Sequence, residues 1–304
     1  MSFVVGTALL AVVTALACAL PGAFVVLRKN SMLVDAIGHA VLPGIVVGYF
    51  FTHSLNSPIL IIGAALSGLI VVIGNEWLIR TGLVTGDAPQ GLIFPALFSA
   101  GVILVSMNFA HIHLDTHAVL VGDLNLAAWH QLTVGGVSIG PSYLYVMLAV
   151  LALNALFIAV FYSQLKVTTF DPQFARTLGI RVGLLGISFM FLVSLTVVAA
   201  FNAAGAILVI ALMVVPGATA YLVSRRLPLM LALTAAFAVG GALAGFWMAY
   251  ALNAATSAGM AVFYGVAFVA VFIAKRLVRR RRAERGPRPS RRLRASTAHP
   301  APRV

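Results

Sequence analysis

Residues 31–51 read SMLVDAIGHAVLPGIVVGYFF. The run is long enough to cross a bilayer as a helix, for which about 20 apolar residues suffice. Yet it carries an aspartate and a histidine four residues apart, and a proline four residues beyond the histidine. A basic LRKN (27–30) precedes it and a polar THSLNS (52–57) follows it. A carboxylate inside lipid is costly and by default faces a bundle interior or a water-filled path.

The rest of the chain is of the same kind. Of 304 residues, 62% are hydrophobic and 9% charged, and the mean hydropathy is +1.06. A soluble globular domain carries roughly 25% charged residues, so this composition cannot cover a water-facing surface. Apolar runs recur at about 3–27, 32–51, 58–79, 88–109, 142–165, 183–201, 203–223, 228–250 and 258–274. The alternating ~10-residue segments of a membrane β-barrel are absent. The expected fold is all-α, a polytopic transmembrane bundle of about nine spans. MSFVVGTALL lacks the basic start of a secretory signal, so the first run is expected to stay as a span. Cys18 is the single cysteine and lies within that run, which excludes an internal disulfide and a cysteine-based metal site.

The net charge of +13 would suggest nucleic acid in a soluble protein; here its placement matters more. Arg28 and Lys29 follow the first run, Arg80 the third, Lys166, Arg176 and Arg181 the fifth, and Arg225 and Arg226 the seventh. All remaining Lys and Arg follow the ninth. By the positive-inside rule the N-terminus is outside and the C-terminus cytoplasmic. Residues 1–274 form the transmembrane domain. Residues 275–304 are basic and contain several prolines. They read as a disordered cytoplasmic tail that anchors on anionic lipid headgroups, and no nucleic-acid partner is expected.

On a helix, Asp35 and His39 share a face. Pro43 lacks the N–H that would bond the carbonyl of residue 39, and its ring pushes that carbonyl aside. His39 is thus expected to offer an imidazole and a freed backbone oxygen at one point, with Gly38 leaving the approach open. Carboxylate with imidazole suits manganese, iron(II) or zinc. The pair either lines a cation path, as ligand or inner gate, or hydrogen-bonds and fixes helix packing.

The segment 166–182 falls inside by charge. It reads as a short helix with Asp171 at the N-cap, Pro172 in the first turn and Gly179 at the stop. Phe174 and Leu178 then share an apolar face with Arg176 turned away, a docking element for a partner groove; the other reading lays it on the membrane surface. Outside, residues 110–141 begin AHIHLDTH, so His111, His113, Asp115 and His117 point one way in an extended strand. They form either a metal-collecting face or a polar rim that docks a binding protein. About 30 loop residues are too few to fold a hydrolase around them. GDLNLAAWHQL (122–132) reads as a short amphipathic helix with Trp129 at headgroup depth.

RKNSMLVDAIGHAVLPG (28–44), GDLNLAAW (122–129), FDPQFARTLGI (170–180) and AAGAILVIALMVVPGATAYLVSRR (203–226) occur in the order and spacing of one family. The chain resembles the integral-membrane permeases of ATP-binding-cassette importers for manganese, zinc and ferrous iron. The resemblance implies a dimer of permeases, from a second copy or a paralogue, with cytoplasmic ATP-binding subunits and an extracytoplasmic metal-binding lipoprotein. It also implies a plasma-membrane location, Asp35 and His39 on the metal path, and residues 170–180 as the helix that transmits ATPase closure. No G-x-x-x-x-G-K-[ST] occurs, and none of Lys29, Lys166 and Lys275 follows a glycine. ATP therefore belongs to another polypeptide, and the chain is not itself an enzyme. Two further functions stay open on sequence alone: a carrier driven by an ion gradient, using Asp35 and His39 as a proton relay, and a membrane metalloenzyme using the outer histidines.

Overall fold

A computed structural model describes residues 3–53, 58–84, 86–108, 123–134 and 137–285. The helices are α1 (Phe3–Leu27), α2 (Ser31–His39), α3 (Val41–Thr52), α4 (Pro58–Arg80), α5 (Ala88–Asn108), α6 (Leu124–Trp129), α7 (Ser142–Phe170), α8 (Pro172–Thr177), α9 (Val182–Ala204), α10 (Ala206–Val223), α11 (Leu227–Ala251) and α12 (Thr256–Arg285). A two-stranded antiparallel hairpin, β1 (Gln131–Val134) and β2 (Val137–Pro141), joins α6 to α7. Nine segments of the described residues are long and apolar enough to cross a membrane. Their limits match the apolar runs of the sequence to within a few residues, except the last. The second span is two helices, α2 and α3, meeting at Ala40.

α1 sits at the centre and packs against α7, α10 and α11, with α9 alongside. Its core face includes Leu10, Cys18, Phe24 and Val25, all fully buried. Lipid supplies no hydrophobic drive between helices, so close backbone approach carries the packing. Gly22 permits one such approach: a methyl group there would overlap the Met213 carbonyl of α10. A second group, α2 to α5, leans on α9.

A buried polar side chain fastens α7 to both α1 and α9. Asn154 of α7 donates through Nδ2 to the Ala17 carbonyl of α1 (2.9 Å) and to Thr196 Oγ1 of α9 (2.9 Å). Thr196 in turn donates to the Leu192 carbonyl at 2.8 Å. Asn154→Ala is expected to lower stability by roughly 1–2 kcal/mol, since it removes two interhelical hydrogen bonds of about 0.6–1 kcal/mol each. A fall in thermal midpoint of the purified chain checks this; an unchanged midpoint would show the network to be incidental.

α12 does not stop where its apolar part ends. It continues through Lys275 to Arg285, so the first part of the segment expected to be disordered is helical. Leu, Arg and Ala are good helix formers, and the helix-breaking pair Gly286-Pro287 comes only after Arg285.

Candidate functional site

α2 is amphipathic. Leu33, Val34, Ala36, Ile37 and Gly38 are buried, while the side chains of Asp35 and His39 remain 41% and 45% exposed. His39 Nε2 lies 3.4 Å from Asp35 Oδ1, longer than a good N–H···O hydrogen bond. Two ligands about 2.1 Å from a common metal at a tetrahedral angle would stand ~3.4 Å apart. The pair is therefore spaced as a two-point bite for a cation, with neither group sealed into helix packing.

The helix ends directly after His39. The Ala40 N–H bonds the carbonyls of both Ala36 (3.1 Å) and Ile37 (3.2 Å), a tightened last turn. The Ser67 hydroxyl of α4 donates to the Ala40 carbonyl at 2.6 Å. The backbone oxygen that gains a side-chain partner at this joint thus belongs to Ala40, one residue beyond the position inferred from Pro43. Ending α2 at His39 moves the break forward, and α3 starts afresh at Val41 with Pro43 in its first turn, where a proline is tolerated. Gly38 has a different role from the one expected. It is buried, and a methyl group there would overlap the Phe201 ring of α9. It lets α2 lie against α9 and does not open an approach to His39.

On the exposed side, the His39 ring lies 5.6 Å from the Phe94 ring of α5. Asp35 stands at a groove of about 550 Å³ between α2, α10 and α12, whose other walls include Met32, Ile207, Val214 and Val262. Among the described residues, no three His, Cys, Asp or Glu side chains come close enough to hold a metal together. Among the described residues, Asp35 and His39 are the two such side chains that stand together on α2. His111, His113, Asp115 and His117 lie outside the described residues.

The second region is α8. Asp171 caps it, its carboxylate accepting from the Phe174 N–H at 2.9 Å. Pro172 opens the first turn, and Gly179 ends the segment with φ +77°, a conformation that favours glycine. Ala175 is buried, while Phe174 and Leu178 are 52% and 56% exposed. An apolar pair stands out from a rigidly capped turn. Arg176 points elsewhere, into a cleft shared with Arg28 and Arg80. Near the start of α7, α6 buries Leu124 and Ala128 and exposes Leu126 and Trp129. Trp129 meets Phe3 edge to face at 6.1 Å.

The model of the ABC 3 transport family matches residues 1–275. The chain belongs to the ABC 3 transport family. Among relatives of this ABC 3 protein, the manganese transport system membrane protein MntD of Bacillus subtilis (strain 168) is 41% identical over 262 residues, covering 86% of this chain and 88% of that one. The zinc transport system membrane protein TroD of Treponema pallidum (strain Nichols) is 43% identical over 265 residues, covering 87% and 72%. The solved structure of PsaBC from Streptococcus pneumoniae in complex with Fab superposes with a TM-score of 0.73 at 26% identity, over 90% of this chain and 91% of that one. As a member of the ABC 3 family the protein is a multi-pass plasma-membrane transport subunit and not itself an enzyme. This membership sets aside the gradient-driven carrier and the metalloenzyme.

Proposed function

We infer that this chain is the permease subunit of an ATP-binding-cassette importer for a divalent transition metal, manganese, zinc or iron(II), with Asp35 and His39 on the route of the ion. The observation that carries the site is the 3.4 Å bite between two half-exposed donors beside a helix break. The relatives named for manganese and for zinc transport support the cargo class. In this reading the N-terminus is outside and the extracytoplasmic lipoprotein delivers the ion there. His111, His113, Asp115 and His117 lie on that side as a collecting face. The ion passes Asp35 and His39, which hold it through two donors, weakly enough to let it go. Water, backbone carbonyls or a second permease copy complete its shell.

The cytoplasmic ATP-binding subunits dock on Phe174 and Leu178. ATP binds and is hydrolysed on those subunits, and closure between them moves α8 and, through α7 and α9, the bundle around α2. The basic segment from Lys275 onward rests on anionic lipid headgroups.

Accumulation of radioactive manganese, zinc and iron(II), each measured in a strain lacking the chromosomal gene and complemented with this chain, tests the reading. Uptake of at least one of these ions that collapses when the ATP-binding subunit is deleted is the expected result. Uptake that survives that deletion and follows an imposed pH gradient would contradict it.

A further inference from the structure

Three segments that are distant in sequence converge at one end of the bundle. The α1–α2 turn brings Arg28, the end of α4 brings Glu76 and Arg80, and α8 brings Arg176. With Thr169 and the start of α9 they line a cleft of about 320 Å³.

Charge in this cleft is out of balance. Glu76 is committed to Arg80, with Oε1 2.6 Å from Nη2. Arg28 and Arg176 have no acidic partner among the described residues. Arg28 is also largely shielded from solvent. Its Nε donates to Thr169 Oγ1 (3.1 Å), its Nη2 donates to Thr168 Oγ1 (3.3 Å), and its guanidinium lies 4.8 Å over the Phe189 ring. Those partners are neutral, and burial pulls the group down to about 10. Removing one charge from water without a counter-charge is costly. The floor adds positive character, since Val182 and Gly183 are the first turn of α9, the positive end of a long helix. A methyl group added at Gly183 or Gly186 would meet open space, so this floor is bare backbone.

We propose that the cleft binds a phosphate-type anion, free or carried on a lipid headgroup, which ties α8 to the α1–α2 turn. A phosphate offers several oxygens to donors that approach from separate segments, and arginine is the side chain suited to forked recognition of it. The Thr169 hydroxyl accepts from Arg28 and keeps its proton to donate to such an oxygen. A single carboxylate from a docking protein would engage one guanidinium and leave the other unmatched. Occupancy links α8 to the turn from which α2 sets out, one helical turn before Asp35. The anion thus acts on the mechanical connection between the docking surface and the ion-handling helix.

The full chain in phosphatidylcholine nanodiscs provides the test, read as thermal midpoint against added inorganic phosphate at ionic strength held constant with chloride. A parallel series omits phosphate and replaces part of the lipid by phosphatidylglycerol. A saturable rise with phosphate points to a free anion and a rise with phosphatidylglycerol alone to a headgroup; either supports the site only where Arg176→Gln weakens it, since the basic segment from Lys275 onward also meets anionic headgroups. Phosphate also raises stability non-specifically by exclusion from protein surface, so Arg176→Gln is the deciding variant. It should raise the half-effect concentration about tenfold, the share of one charge-assisted hydrogen bond. Arg28→Gln also removes two hydrogen bonds to threonines and is secondary. Flat midpoints in both series, or an identical rise in Arg176→Gln, would overturn the proposal. So would protection that appears only when the ATP-binding subunit is added, which would assign the cleft to a partner's carboxylate.

Discussion

Asp35→Ala and His39→Ala are each expected to abolish ATP-driven metal uptake while the transport complex still assembles. Groups that merely orient metal ligands typically contribute about 10–100-fold to affinity, so losing one of two direct donors should reduce uptake by at least about 100-fold. Assembly should be spared, because both side chains stand on the exposed face of α2, whose packing residues are Leu33, Val34, Ala36 and Ile37. Initial uptake rates beside co-purification of the ATP-binding subunit separate the two effects. Normal uptake in both variants would remove the pair from the ion's route. Uptake lost together with assembly would assign it to packing.

Phe174→Asp is expected to disconnect ATP hydrolysis from transport. Phe174 is half exposed on a turn that Asp171 caps and Gly179 ends, so a partner groove can bury its ring without unfolding the segment. Burying a phenylalanine contributes up to about 3 kcal/mol, or roughly a hundredfold in docking affinity. An aspartate there must also be desolvated. The variant should assemble poorly with its ATP-binding subunit, or hydrolyse ATP at a rate indifferent to the metal-binding protein. Its bundle should keep its thermal midpoint, because the side chain packs outward. A complex with ordinary affinity and ordinary stimulation would show that α8 lies on the membrane surface instead.

The spans were readable from the sequence because lipid allows few solutions. Each crossing needs about 20 apolar residues with internally satisfied backbone, and neither Pro21 nor Pro216 interrupts its helix. α8 was readable because Asp171, Pro172 and Gly179 state its start and stop within nine residues. The joint after α2 was readable in kind and misplaced in detail. Pro43 announces a break, but the gap falls at Ala40, where Ser67 from α4 supplies the hydrogen bond; a partner on another helix has no signature in the local sequence. Gly38 failed for a similar reason, since its neighbour Phe201 is fixed by tertiary packing alone. The hairpin of β1 and β2 had a signal, the pair Gly135-Gly136 between two β-branched runs, which the reading of 110–141 as one outer loop passed over. The cleft had none, because Arg28, Arg80 and Arg176 lie on the α1–α2 turn, α4 and α8, far apart in sequence, and only the fold brings them together.

On the proposed ion route Asp35 faces water, and not lipid or dry packing. Cys18 is the single native cysteine and is fully buried, so an Asp35→Cys chain carries one reactive thiol on a silent background. Its reaction with a charged, membrane-impermeant thiol reagent in the assembled complex is the direct measurement. Prompt modification is the expected result. A thiol that resists the charged reagent and reacts only with an apolar, lipid-soluble one would contradict the account.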